Sequence, residues 1–154
     1  PKRGILISDL NPQKQLRVLE TRRELERLIC KKSAKRCSPE ERKQFERMAK
    51  DFNKAANEKN EKLFLKADKE FNDLTILAAK NEYASKALSM LQGMSRRFWF
   101  GNSHRIEDIT VAAKLHANIA DAICKGNEKG AGEAVDKLLD YIEEFTRKTV
   151  MSHE

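Results

Sequence analysis

At 154 residues, with 40% apolar and 36% charged content, the chain fits one domain built of long solvated helices rather than sheets. No apolar run approaches the roughly 18 residues of a membrane span, and Ile5-Leu6-Ile7 is too short a core for a signal peptide, so a cytoplasmic protein is expected. The net charge of +7 is uneven: residues 1–62 carry 18 Lys/Arg against 10 Asp/Glu and residues 63–154 carry 13 against 14, which suggests a polyanion near the N-terminal part or simply a solvated basic helix face.

Residues 1–11 stand apart, a short strand-like run (Gly4-Ile5-Leu6-Ile7) behind Lys2-Arg3 followed by a linker. Helix one is expected from Pro12, a good first-turn residue, to about Lys35. Its Leu19, Arg22, Glu26 and Ile29 share one face at 3-4-3 spacing. Arg22 and Glu26 are either an edge-of-stripe ion pair or a buried guanidinium awaiting an anion, for which its planar fork is suited. On the second reading Arg22→Ala should lose the anion yet leave the empty domain folded.

Ser38-Pro39-Glu40-Glu41 opens helix two, with Ser38 as N-cap, Pro39 at N1 and Glu41 completing a capping box; the helix is read to about Asn57. Helix three, about Glu61 to Lys80, carries an apolar stripe (Phe64, Ala67, Phe71, Leu74, Ala78) and beside it a smaller polar one (Asp68, Asn72, Thr75, Ala79). Asp68 and Asn72, one turn apart, either form a solvated flank or point at one ligand. In helix four, about Asn81 to Trp99, Tyr83, Ala87, Met90, Met94 and Arg97 align, which brings Arg97 towards the interior or its rim. Phe98 continues an Ala84, Ala87, Leu91, Met94 stripe, so Arg96 to Phe100 reads as core packing in preference to a base-stacking surface.

Helix five, about Ile106 to Lys125, sets His116 within the apolar run Ile109, Ala112, Ile119 and Ile123. A lone core histidine is usually a satisfied polar group, but this one shares a bundle with other interruptions. Gly126 stops the helix and Asn127 caps helix six, which reaches about Thr149 on an unbroken stripe of Ala131, Val135, Leu138, Ile142 and Phe145. The fold class is all-α, a single antiparallel bundle of about six helices over residues 12–150. Four helices aim Arg22, Asp68, Asn72, Arg97 and His116 at what would be one polar pocket, the signature of a small-molecule site.

Three cysteines without a CxxC pair suggest neither disulfides nor a zinc finger, but reduced thiols in or near the core. An enzyme of the carboxylate-bridged type would need Glu-x-x-His on two helices. None occurs, nor does a phosphate loop or nucleophile elbow. No catalytic residue is assigned. The competing reading is a helical nucleic-acid-binding or protein-interaction module with no small-molecule effector.

Arg22-Arg23-Glu24-Leu25-Glu26, Asp68-Lys69-Glu70-Phe71-Asn72 with Asn81 nine residues on, and His116 before Ala122-Ile123-Cys124-Lys125-Gly126-Asn127 together resemble, in order and spacing, the FCD effector domain of FadR-type GntR transcription regulators. The resemblance implies a homodimeric sensor of a small, anionic effector, acting on operator DNA through an upstream winged-helix domain. Residues 1–11 would be the remnant of its wing and linker. Many such domains hold a divalent metal with Asp, His, His and His. Carried over, those positions are Asp68, Asn72, His116 and Leu138, only half retained, so no tight metal site is expected and at most weak divalent-ion binding at Asp68 and His116. The effector would be held by Arg22, Asn72, His116 and Arg97, with Asp68 as acceptor or counter-ion.

Overall fold

The structure, a computed structural model, describes residues 11–102 and 106–151; the strand-like run of residues 1–10 lies outside them. Six helices account for nearly all of the described chain, with no strand among the described residues: α1 Pro12–Arg36, α2 Pro39–Glu58, α3 Glu61–Ala79, α4 Glu82–Asn102, α5 Ile106–Cys124 and α6 Glu128–Met151.

The helix ends are made by short-range chemistry. Asn11 accepts from the Lys14 amide at 2.9 Å ahead of Pro12. The Ser38 hydroxyl accepts from the Glu41 amide (3.1 Å) while the Glu41 carboxylate accepts from the Ser38 amide (3.0 Å), a complete capping box. Asn60, Asn81 and Asn127 cap α3, α4 and α6 as Asn11 caps α1, each side-chain oxygen accepting from the amide three residues on. Gly126, at φ +69°, turns the chain between α5 and α6, and a Cβ there would lie 3.2 Å from the Arg42 guanidinium. That guanidinium donates to the Cys124 carbonyl at 2.8 Å, so the glycine serves both the left-handed turn and a close approach.

The main pairings are α2 on α5 and α1 on α6, with α3 against α1 and α2 and with α4 against α1. Arg23 reaches Asp136, Asp140 and Glu143 while Arg27 reaches Asp136, so α1 and α6 run antiparallel. Phe45, Phe52, Leu19, Ile123 and Leu139 are wholly buried at the centre. Phe52 is the hub of an aromatic cluster, 6.1 Å from Phe64 and 5.8 Å from Phe71 between ring centroids. Cys30 and Cys37 are buried and Cys124 half-buried, all unpaired; burial pushes the Cys30 thiol well above its ordinary value, as for an inert core thiol.

One helix face differs from expectation. Tyr83 is 80% exposed and Met90 66%, and Arg97 is exposed. The buried face of α4 is instead Ala84, Leu88, Leu91, Ser95 and Phe98. Two apolar stripes about 100° apart run along this helix, and with 3.6 residues per turn both satisfy the same periodicity. Packing against Ile29 of α1 selects the second.

Candidate functional site

Where α1, α3, α4, α5 and α6 converge, the bundle leaves a cavity of about 60 Å³. Its wall contains Arg22, Asp68, Asn72, Gln92, Ser95, Arg96 and His116, with Phe64, Trp99, Ala112, Leu138 and Ile142 completing it. Four of the five residues expected from the sequence therefore meet in one space. Arg97 does not: it points to solvent, and its neighbour Arg96 takes the place on the wall, the one-residue difference following from the rotated face of α4.

His116 sits 6% exposed among three phenylalanines, with ring centroids 5.1 Å from Phe52, 5.5 Å from Phe64 and 6.0 Å from Phe71. Its Nδ1 lies 2.7 Å from the Ala112 carbonyl. A carbonyl only accepts, so Nδ1 carries its proton. Nε2 faces Asp68 Oδ1 at 3.3 Å, and that contact is favourable when Nε2 is protonated too. The other oxygen of Asp68 meets Arg96 Nη2 at 3.4 Å. Burial works to raise the Asp68 carboxyl, but the hydrogen bond and charge of His116 and the charges of Arg96 and Arg22 outweigh it and hold the group below its ordinary value.

Arg22 already has a carboxylate partner on its own helix. Glu26, 7% exposed, faces it with Oε2 at 3.0 Å from Nε and Oε1 at 3.4 Å from Nη2. Gln92 then donates from one nitrogen to Glu26 Oε1 (3.2 Å) and to Asn72 Oδ1 (3.1 Å). The direction of this chain is fixed at its first link, because a carboxylate accepts and so must face the Gln92 nitrogen. Asn72 must accept in turn, which leaves its NH₂ as a donor. Ser95 closes the wall, bonded at 2.8 Å to Gln15, itself 1% exposed.

The residues that sequence reasoning missed, Gln92, Ser95 and Trp99, carried a usable signal. Leu88, Gln92, Ser95 and Trp99 follow a 4-3-4 spacing on α4, a polar stripe like that of α3.

A divalent metal, which the sequence resemblance implies for many such domains, does not fit these residues. The corresponding positions, Asp68, Asn72, His116 and Leu138, all line the cavity, so the placement is geometrically consistent. Leu138 cannot ligate, and Asn72, whose oxygen already accepts from Gln92, is a poor substitute for histidine towards such an ion. Among the described residues no group of three or more His, Cys, Asp or Glu is arranged to hold an ion. No helix of the described residues is long and apolar enough to cross a membrane.

A family model described as FCD domain matches residues 17–141, a span that contains every residue of the cavity wall except Ile142. Comparison with curated proteins finds no match.

Proposed function

This chain belongs to the FCD domain family, the effector-binding domain of GntR-type transcription regulators, and we propose that its central cavity binds a small carboxylate-bearing metabolite. The observation that carries this is the state of Arg22. Glu26 occupies the Nε side of the guanidinium, and among the described residues no hydrogen bond engages Nη1. The Nη1/Nη2 edge is thus left for a bidentate carboxylate, on a guanidinium pre-oriented by a buried partner. The spare amide protons of Asn72 add a second donor. Arg96 adds positive charge near the mouth, where 38% of its side chain is exposed. Binding in this site is recognition without bond-making, and operator DNA is assigned to a separate winged-helix domain of the regulator.

Screening small carboxylates by thermal denaturation tests the reading. A bound acid at about 100 times its Kd should stabilise the fold by about 2.7 kcal/mol. Arg22→Lys keeps a charge beside Glu26 but loses the fork, so it should fold and lose that gain. Stabilisation undiminished in Arg22→Lys would overturn the role of Arg22.

We also infer a two-fold dimer, since palindromic operators are read by two-fold symmetric proteins. The exposed stripe of α4 supplies a face for a second copy. Tyr83, Ala87, Met90, Met94 and Arg97 are spaced almost symmetrically about Met90, so an antiparallel partner would set Glu82 and Tyr83 against the partner's Arg97. Sedimentation at tens of micromolar should show a dimer that Met90→Glu dissociates with unchanged helical circular dichroism. A wild-type monomer under those conditions would remove the inference.

A further inference from the structure

Resting on the carboxylate reading above, we propose that the effector is a short monocarboxylate with an unsubstituted hydrocarbon body, its carboxylate on the open edge of Arg22 and its body against Phe64, Leu138 and Ile142.

The wall is two-sided. Arg22 from α1, Asn72 from α3 and Gln92 and Ser95 from α4 supply the polar half, while α5 and α6 contribute Ala112, Leu138 and Ile142. His116 is the one polar group of the second half, and it is turned to Asp68. Leu138 is 2% exposed and Ile142 8%, so both present hydrocarbon in a water-poor space. Of the two nearby carboxylates only Asp68 lines the cavity. Asp68 meets His116 and Arg96 with its two oxygens. Glu26 faces Arg22 with both of its own, accepts from Gln92 with Oε1 and stands behind the wall, not on it. What remains is donor capacity at Arg22 Nη1, at the Asn72 amide and at the Ser95 hydroxyl, which accepts from Gln15 and keeps its own proton, all on the polar half, which suits one carboxylate. On the α5 and α6 side a second carboxylate would lie against Leu138 and Ile142 without a donor, Arg96 standing at the mouth against Asp68, and a hydroxyl turned to that side would be buried against the same surface.

Size narrows the class further. A water takes at least about 10–15 Å³ of such space, so about 60 Å³ corresponds to roughly four to six waters at most. An acid of three to five carbons fills this without opening the bundle. Trp99, half-buried with its ring centroid 4.4 Å from that of Phe145, borders the same space, and a longer chain would have to displace it.

The test uses butanoate, 2-hydroxybutanoate and butanedioate as probes on the intact domain, with Kd measured by calorimetry. Butanoate should bind tightest, 2-hydroxybutanoate at least tenfold weaker, and butanedioate weaker still. Leu138→Thr should narrow the gap between butanoate and its hydroxy analogue, and the wild-type series decides the matter even if that variant folds poorly. Equal or tighter binding of the hydroxy acid or the diacid, lost in Arg22→Lys, would overturn the hydrocarbon-bodied class and leave the carboxylate reading standing. Absence of binding by all three at millimolar concentration would overturn this proposal, and Arg22-dependent binding of any other carboxylate would then show that the broader reading survives it.

Discussion

Replacing Asn72 and Leu138 together by histidine should turn this cavity into a tight zinc or nickel site. Both positions lie on one wall with Asp68 and His116, so the double variant assembles three imidazoles and a carboxylate around one space. His116 is prepared for the part. Its Nδ1 is held at 2.7 Å by the Ala112 carbonyl, which fixes the tautomer and leaves Nε2 to face the centre. Wild type, stripped with chelator and resupplied with metal, should retain no stoichiometric ion, whereas Asn72→His with Leu138→His should bind one per chain. A change from worse than about 1 mM to about 1 µM or better corresponds to at least about 4 kcal/mol. Zn–N distances near 2.0–2.1 Å would be typical of such a site, and affinity should fall with pH as the imidazoles protonate. Stoichiometric metal in wild type would mean that Asp68, Asn72 and His116 suffice with oxygens from water or ligand. No metal in the double variant would mean that residue 138 does not face the other three.

Features decided within one turn of chain were legible from the residues alone. Ser38 to Glu41 form the box that their order dictates, and Gly126 with Asn127 separates α5 from α6 by left-handed turn and cap. The unbroken stripe of α6 and the single interruption of α5 by His116 also read correctly, because each offers one apolar face. The α4 helix offers two. Choosing between Met90 and Leu88 depends on what α1 presents, and periodicity within α4 holds no such information. The choice of Arg97 over Arg96 was a direct consequence. The depth of Glu26 was hidden for a similar reason: an i,i+4 pair looks the same in sequence on a surface and in a core, and only its bond to Gln92, 66 residues away, separates the two.

That depth changes what Arg22→Ala should do. The sequence alone suggested that the empty domain would tolerate it. In the structure the two side chains keep only 11% and 9% of their exposure, and removing the guanidinium leaves the Glu26 carboxylate with the Gln92 amide as its one donor. Breaking a buried pair by deleting one member costs about 3–5 kcal/mol. With some solvent still reaching both groups the lower end applies, about 3 kcal/mol out of the roughly 5–15 kcal/mol of a typical domain. Urea denaturation of wild type and variant measures this at pH 7. Arg22→Met with Glu26→Gln should recover most of the loss, because the new amide oxygen still accepts from Gln92 and no charge is left buried. A cost below about 0.5 kcal/mol for Arg22→Ala, the level of ordinary surface substitutions, would mean that water reaches Glu26 freely. The guanidinium would then not be pre-oriented, and the fixed open edge on which ligand recognition is built would be absent.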